Sequence, residues 1–374
     1  MTLAAEKLSA GNIISYTFWS QREALTPHAA MNTQPELHPE ANIYKGSFPR
    51  FERPKIIGFI CLENLKFARR INEEKVHFDL NLHFENAIHK PEDLDVKLTE
   101  LLKFLLENEV RLNYPLENSL DNARFYCYRG LMTCIACTPY ENREPWKIVA
   151  ILSKGNIYLC ARDTQEKINR KQNMTDKEKL FTSWGYKFEQ YMLSGKLTNL
   201  GTYETEEFSL VFTTKLNHHT VVYGAEMDGI RCDRGPVLEP PDEKQRAESI
   251  IEYLLTKEFI ELKTSRHIQH PNQEKSFRRF KTKKWWCQSF LVGIDSILCG
   301  LRNDDGIVEQ LKIFPVKDLA KTSQALNRLQ TLPMITMLFE WNPGMPVIVN
   351  QNYNYEDDPI LPGWFIENYS KNTR

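Results

Sequence analysis

The sequence lacks any long apolar run and any large excess of one charge. Its longest apolar stretch, residues 56–62, is far shorter than the roughly 20 residues that a bilayer-spanning helix needs. The N-terminus has no basic region followed by an apolar run, so we expect neither a secretory signal nor a membrane partner. The 48 Lys and Arg residues nearly balance the 49 Asp and Glu residues, so any nucleic-acid site must be a local patch.

The sequence also lacks a second cysteine pair that could complete a zinc site. Cys134 and Cys137 form a lone CxxC, and the other six of the eight cysteines are scattered. A zinc site would need another pair or a nearby histidine motif. We interpret all eight as free thiols in a reducing compartment.

No repeat, low-complexity segment or clear linker divides the 374 residues. Closely spaced prolines in the second half of residues 1–55 predict an extended N-terminal arm packed on the domain. Residues 56–374 are predicted to form a single catalytic domain of the α/β class, with mixed β-sheets flanked by helices. Apolar periodicity predicts helices at 91–109, 176–193, 242–255 and 275–291. It predicts strands at 56–62, 124–128, 132–137, 147–152, 156–160, 207–215, 220–225, 257–264, 296–301 and 307–313.

Two carboxylates follow an apolar strand in the segment YGAEMDG. Because side chains alternate along a strand, Glu226 and Asp228 should share one face while Met227 enters the core. Like charges that close raise each other's pKa unless a cation neutralises them. The pair therefore indicates a cation site.

A second acidic piece lies in KEFIELKTSR, where Glu261 and Lys263 should share a face opposite Leu262. An acid, an apolar residue and a lysine on one strand, preceded by a strand-end acid, are typical of a restriction-nuclease-like catalytic core. Glu189 borders the apolar stripe of the predicted helix 176–193 and should face inward. The alternatives are weak ion pairs on solvated edge strands and, for Glu189, a buried acid paired with a base.

A basic stretch interleaved with aromatic residues follows, at SFRRFKTKKWWCQSFL (residues 276–291). Basic groups can neutralise phosphates and aromatic rings can stack on bases. The alternative is an amphipathic surface helix whose aromatic residues belong to the core. The KTKK segment is also a weak nuclear-import candidate.

Five segments together resemble the decapping exoribonuclease (DXO) family, which includes the fungal partner of the nuclear 5′→3′ exoribonuclease. They occur in the family's order and span the middle of the chain. These segments are CYRGLMT with TPYE, WGYKFEQYM, GAEMD, ELKTS and KWWCQSFLVG.

The resemblance implies a role for each matching residue. Metal ligands would be Glu189, Glu226, Asp228, Glu261 and the Leu262 carbonyl, around Mg²⁺ or Mn²⁺. Catalytic groups would be Glu226, Asp228, Glu261, Lys263 and Gln288. Substrate would be bound by Arg53, Tyr128, Arg129, Gly130, Ser209, Glu226, Lys263 and Gln288.

The activity that the resemblance implies is metal-dependent hydrolysis at RNA 5′ ends. It covers 5′-triphosphate pyrophosphohydrolysis, removal of incomplete, unmethylated or NAD caps and, in some members, 5′→3′ digestion. The implied partners are such RNA 5′ ends and a nuclear 5′→3′ exoribonuclease, with the nucleus as the main compartment and the cytoplasm as a second one. Two alternatives stay open: a non-catalytic subunit that stabilises an exoribonuclease, and a restriction-like DNA nuclease.

Overall fold

A computed structural model of the chain describes most of the region predicted as the catalytic domain. Most of the predicted arm 1–55 lies outside the described residues, so the division at residue 55 stays a prediction. No described helix is both long and apolar enough to cross a membrane. The described residues are 36–37, 49–73, 75–89, 91, 97–113, 122–141, 143–193, 201–242, 246–322, 337–342, 345, 347–350, 360–362 and 365.

Within the described residues, nine strands form a large mixed sheet in the order β1-β15-β14-β6-β7-β5-β9-β8-β2. Strand β5 runs parallel to both β7 and β9, and the other neighbours are antiparallel. The strands are β1 (Glu36–Leu37), β2 (Lys55–Ile60), β5 (Arg124–Tyr128), β6 (Trp146–Ser153), β7 (Asn156–Arg162), β8 (Ser209–Leu216), β9 (His219–Glu226), β14 (Met337–Trp341) and β15 (Val347–Asn350).

A second, smaller mixed sheet of the described residues has the order β3-β10-β11-β12-β13-β4. Strand β11 runs parallel to β12, which pairs antiparallel with β13. The strands are β3 (Phe67–Ala68), β4 (Phe78–Asp79), β10 (Gly229–Arg231), β11 (Phe259–Arg266), β12 (Ser296–Arg302) and β13 (Ile307–Pro315). The α/β class with mixed sheets flanked by helices is therefore confirmed.

Helices cover both sheets. Single-turn 3-10 segments lie at Leu62–Asn64, Phe84–Asn86 and Thr138–Tyr140, and a π-helix lies at Phe277–Lys281. The α-helices are α1 (Thr99–Glu107), α2 (Glu109–Leu112), α3 (Arg129–Cys137), α4 (Gln165–Gln172), α5 (Asp176–Leu193), α6 (Ala247–Leu255), α7 (Pro271–Ser276), α8 (Thr282–Phe290) and α9 (Val316–Thr322).

Helices α5 and α8 pack on opposite faces of the small sheet. Phe188 of α5 lies in one core cluster with Leu262 and Leu298. Cys287 of α8 lies in another with Ile297 and Cys299. Because Glu261 pairs with Ile297 and Lys263 with Cys299, the Glu261 and Lys263 side chains lie on the α8 face of the sheet.

One sequence prediction of local structure was wrong. Residues 132–137, predicted as a strand, belong to helix α3, because Leu131, Met132, Ile135 and Ala136 recur at helical spacing. The helix predicted at 275–291 is confirmed as helical over 275–290, where it comprises the end of α7, the π-helix and α8 in succession. In the stretches predicted as helices at 91–109 and 242–255, the described helices begin at Thr99 and Ala247, and residues 92–96 and 243–245 lie outside the described residues.

Candidate active site

The first acidic pair lies where the chain passes from the large sheet to the small one. Strand β9 ends at Glu226, and β10 begins after Asp228. Met227 is 3% exposed and belongs to the main core, whereas the neighbouring Glu226 is exposed. The predicted entry of Met227 into the core is therefore confirmed, whereas the strand ends before Asp228 and a shared face of Glu226 and Asp228 stays a prediction. Ser209, predicted to contact substrate, is the cross-strand partner of Glu226 in β8.

The second acidic group is held by two cations. Glu261 is 1% exposed, and its Oε1 accepts a hydrogen bond from Lys263 Nζ at 2.6 Å. Its Oε2 accepts one from Arg129 Nη1 at 3.1 Å. Arg129 is itself buried at the first turn of α3, which directly follows β5. This ion pair joins an element on the large sheet to a strand of the small sheet.

Asp228 is tied to the same strand through the backbone. Its Oδ2 accepts a hydrogen bond from the Leu262 N–H at 2.6 Å, between Glu261 and Lys263 in sequence. This bond places Asp228 beside the triplet of Glu261, Leu262 and Lys263. The proposed metal contact of the Leu262 carbonyl stays a prediction.

Glu189 approaches these acids from helix α5. It is half-buried, next to Phe188, whose ring is fully buried against the small sheet. Burial raises the pKa of Glu189 well above its usual value, and repulsion from Asp228 and Glu226 raises it further. The inward orientation predicted from the helical stripe is thus confirmed.

Electrostatics couple the acids to one another. Burial raises the pKa of Asp228, and the charge of Glu261 adds to this, bringing it to about 7. Burial would also raise the pKa of Glu261, but Lys263 and Arg129 outweigh it and hold that pKa below its usual value. Burial works against the Lys263 ammonium, yet Glu261 and Asp228 raise the Lys263 pKa overall. The cluster therefore holds more carboxylate than its own cations neutralise.

The donor set fits a hard divalent cation. All the side-chain donors are carboxylate oxygens, which suit Mg²⁺ or Mn²⁺. Glu189 and Glu226 have no hydrogen-bond partner among the described residues. In that same part of the chain, no three Asp, Glu, His or Cys side chains stand in a group that could hold a metal ion as they are placed. Both Glu261 oxygens and one Asp228 oxygen bond to protein donors, so a cation would have to displace some of these contacts.

The other residues predicted to bind substrate lie in different surroundings, and not all of them are near the acids. A Cβ added to Gly130 would meet nothing within 4 Å, so open space lies beside Arg129. The Tyr128 hydroxyl instead lies at the backbone of Leu101, on the α1 side of the large sheet. Gln288 is half-buried on α8, and Arg53 is exposed just before β2. No hydrogen bond joins Arg53 or Gln288 to the acids within the described ranges.

Sequence reasoning missed two groups near the acids. Burial raises the pKa of Tyr186 to about 12, with added contributions from Glu204, Glu226 and Glu189. Its position one turn before Glu189 on α5 was a usable signal. The charge of Lys66, which follows the 3-10 turn Leu62–Asn64, partly offsets the rise in the pKa of Glu189. Nothing local in the sequence indicates that contact, because it depends on how the two sheets pack.

The eight cysteines are free thiols, as the scattered spacing indicated. Cys137 does not pair with Cys134; its Sγ lies 3.8 Å from Cys287 Sγ, between helices α3 and α8.

Comparison with known proteins identifies the family of this chain. The profile of the family described as "RAI1 like PD-(D/E)XK nuclease" matches residues 59–341. "Decapping and exoribonuclease protein Rai1" of Drosophila melanogaster is 30% identical over 368 residues, covering 88% of this chain and 94% of the relative. The human "Decapping and exoribonuclease protein" is 30% identical over 376 residues, covering 89% of each chain.

Solved structures share the fold. Candida albicans Rai1, crystallised with pU5 and Mn²⁺, has a TM-score of 0.67 at 17% identity, covering 89% of this chain and 97% of that one. Scheffersomyces stipitis Rai1, crystallised with (3′-NADP)⁺ and calcium, has a TM-score of 0.66 at 18% identity, covering 93% and 100%. The family profile covers most strands of the two sheets of the described structure and the residues between them. The chain therefore belongs to the RAI1-like PD-(D/E)XK nuclease family and is a hydrolase of the decapping and exoribonuclease class.

Proposed function

We propose that the chain hydrolyses phosphate bonds at RNA 5′ ends, with a divalent metal as cofactor. The substrates we propose are 5′-triphosphate, unmethylated or incomplete caps, and NAD caps, with 5′→3′ digestion of the RNA body as a further activity. The observation that carries the proposal is the contact of Glu261 with Lys263 and Arg129 beside Asp228. It combines an acidic cation site with groups that can hold phosphate.

We assign the metal to Glu189, Glu226, Asp228 and Glu261, with the Leu262 carbonyl. A divalent cation bound there would lower the pKa of a water and neutralise phosphate charge. The Candida albicans relative was crystallised with pU5 and Mn²⁺, which makes Mn²⁺ the first ion to test here beside Mg²⁺.

The cationic side chains supply the phosphate contacts. Lys263 is half-buried at the edge of the acidic cluster, so its ammonium can bind a phosphate oxygen while still facing Glu261. Arg129 presents a planar fork suited to a terminal phosphate, and the open space at Gly130 leaves room for it. Gln288 would orient the attacking water by hydrogen bonding. The bond that is hydrolysed depends on which phosphorus atom of the substrate lies next to the metal and the attacking water.

The test is a panel of RNAs that differ only at the 5′ end: monophosphate, triphosphate, unmethylated cap, methylated cap and NAD cap. We expect turnover with Mn²⁺ or Mg²⁺ and a loss of at least about 100-fold in Glu261→Gln, because a ligand and the partner of Lys263 change together. Glu258→Gln is the matched control, because Glu258 precedes the same strand and forms an exposed ion pair with Arg234. Equal turnover by wild type and Glu261→Gln would reject the proposal.

The same preparation decides the alternative of a non-catalytic subunit. A chain without turnover on any RNA that binds a nuclease in a 1:1 complex would favour that alternative. Preference for DNA over 5′-phosphorylated RNA would favour a DNA nuclease instead.

We further propose the nucleus as the main compartment, with the cytoplasm as a second one, on the basis of the KTKK segment. Loss of nuclear fluorescence when a tagged chain carries Lys283→Ala and Lys284→Ala would support this assignment, and unchanged distribution would remove its basis.

A further inference from the structure

Two thiols that the proposed mechanism does not use meet between helices α3 and α8. Cys137 is the last residue of α3, Cys287 lies in the last turn of α8, and their Sγ atoms are 3.8 Å apart. Both side chains belong to the core cluster that packs α8 against β12. Neither thiol forms a disulfide. We call this pair the α3–α8 dithiol.

Cys137 has the surroundings of a reactive thiol. It is half-buried, so a small oxidant can reach it, whereas Cys287 is 5% exposed. The hydrogen bond with Cys287 is the main reason that the pKa of Cys137 lies below its usual value; burial opposes this effect, and the charge of Lys284 adds to it. The thiolate is the nucleophile in thiol chemistry, so Cys137 is the sulfur that reacts first with an oxidant.

The neighbouring thiol of the CxxC motif lacks this combination. Burial raises the pKa of Cys134 to about 11, although Cys134 is half-buried like Cys137 and lies one turn before it on α3. Burial also raises the pKa of Cys127 and of Cys299 to about 12. The structure therefore pairs Cys137 with Cys287, 150 positions away in sequence, and not with its CxxC neighbour.

A peroxide is the class of oxidant that such a pair would take. The Cys137 thiolate attacks one oxygen of hydrogen peroxide, the O–O bond breaks, and one water leaves with the thiol proton, which gives a sulfenic acid. The Cys287 sulfur then attacks the Cys137 sulfur. The S–S bond forms, the S–O bond breaks, and a second water leaves with the Cys287 proton. The two thiols are oxidised by two electrons, and the peroxide is reduced to two waters.

Closing this bond would move the helices that carry two groups of the candidate active site. Disulfide sulfurs lie about 2.05 Å apart, so the two Sγ atoms must approach by roughly 1.8 Å from their present 3.8 Å. Gln288 directly follows Cys287, and Arg129 lies about two turns before Cys137 on α3. Catalytic groups tolerate displacements of only about 0.5 Å. The disulfide would therefore disturb the geometry of the site.

We propose that the α3–α8 dithiol is a modification site for peroxide, and that its reversible disulfide lowers the activity of the neighbouring active site. The effect on activity rests on the proposed function, whereas the covalent step does not. Thiols in a reducing compartment form disulfides only transiently, so the reduced protein is the active form.

The covalent step is tested on the reduced full chain, treated with a few equivalents of hydrogen peroxide and then with N-ethylmaleimide. Mass spectrometry of peptides prepared without reductant should find Cys137 joined to Cys287, and dithiothreitol should separate them. Cys134→Ser is the matched control, because Cys134 lies on the same helix with similar exposure, and this variant should keep the bridge. Cys287→Ser should instead leave Cys137 as a sulfenic acid that dimedone labels.

The effect on activity is measured with the RNAs of the 5′-end panel, after catalase has removed the peroxide. We expect oxidised wild type to lose at least about tenfold in turnover, because displacements of about 1 Å can cost 100-fold, and dithiothreitol to restore it. Cys137→Ser cannot form the bridge and should keep its turnover after the same treatment. Thermal melting confirms that the reduced variants fold, and Cys137→Ala replaces the serine variant if that one is unstable.

Three results would overturn the proposal. They are a bridge from Cys134 to Cys137 in place of the predicted one, peroxide treatment that yields no bridge to Cys287, and an equal loss of turnover in wild type and Cys137→Ser. A bridge that leaves turnover unchanged overturns the effect on activity. If the reduced chain hydrolyses none of the RNAs, the proposed function fails, and the bridge alone decides whether the dithiol is a modification site.

Discussion

At the scale of single residues, the site is dominated by an excess of carboxylate around two internal cations. Glu261 is almost fully buried and forms contacts with both Lys263 and Arg129. Buried carboxylates are costly unless paired, so these cations stabilise the fold in the absence of metal. Nearby positive charge offsets burial and repulsion less fully at Asp228 and Glu189, so the pKa values of both carboxylates are raised.

Arg129→Ala should make the protein less stable but more responsive to metal. Removing one partner of a buried pair costs about 2–4 kcal/mol when, as here, Lys263 remains. A divalent cation can replace the lost charge, so the rise in Tm on adding Mn²⁺ should exceed that of wild type. Arg234→Ala breaks an exposed ion pair and should cost less than about 1 kcal/mol. An equal Mn²⁺-induced rise in wild type and Arg129→Ala would contradict this account.

Asp228→Asn should stabilise the metal-free protein at alkaline pH. The folded-state pKa of Asp228, about 7, lies above the unfolded value, so its protonated form favours folding. Wild type should therefore lose stability as pH rises from about 4 through 7, by up to about 4 kcal/mol. The asparagine variant should lack this loss when unfolding is followed by denaturant titration in EDTA.

Asp233→Asn provides a control of opposite sign. A side-chain hydrogen bond from Arg231 lowers the pKa of Asp233, so that carboxylate stabilises the fold above pH 4 and the stabilisation is lost on acidification. This variant should be destabilised at neutral pH. Identical pH profiles for wild type and Asp228→Asn would refute the assignment to Asp228.

At the scale of elements, strand β11 is positioned by the helices on its two sides. Gly300 of β12 allows Phe188 of α5 to approach closely, because an added Cβ would lie 2.5 Å from the Phe188 ring. The same helix carries Glu189, so the packing of this ring determines where that carboxylate lies.

Gly300→Ala should shift α5 away from the sheet. Overpacking of this kind costs about 1–3 kcal/mol, and displacement of Glu189 should weaken Mn²⁺ binding measured by calorimetry. Gly185→Ala on α5 is the control, because its Cβ would meet nothing within 4 Å and alanine favours the helix by about 0.5–1 kcal/mol. If Gly300→Ala is destabilised but binds Mn²⁺ as tightly as wild type, Glu189 is not a metal ligand.

The elements that sequence alone could predict are those with strong local periodicity. Helix α5 has the predicted bounds of 176–193, and Met227 enters the core as expected. Helix α3 was predicted as a strand because its short apolar run fits both periods. The Arg129–Glu261 ion pair spans 132 positions in sequence, so no local pattern could indicate it.

At the scale of the whole molecule, the site lies where two mixed sheets meet. The chain crosses from one sheet to the other at Asp228, and Arg129 reaches across the same junction to Glu261. With a net charge near zero, the proposed recognition of RNA must rest on this junction rather than on the overall field. Folding of both sheets is therefore a condition for the site.

The most direct measurement is an anomalous diffraction map from crystals grown with Mn²⁺. The account predicts a peak with carboxylate oxygens of Glu189, Asp228 and Glu261 at about 2.0–2.4 Å, the range of oxygen ligands around hard cations. The Lys263 side chain should lie at the edge of this metal site. Strong peaks elsewhere, with these three carboxylates too far apart to share one ion, would contradict it.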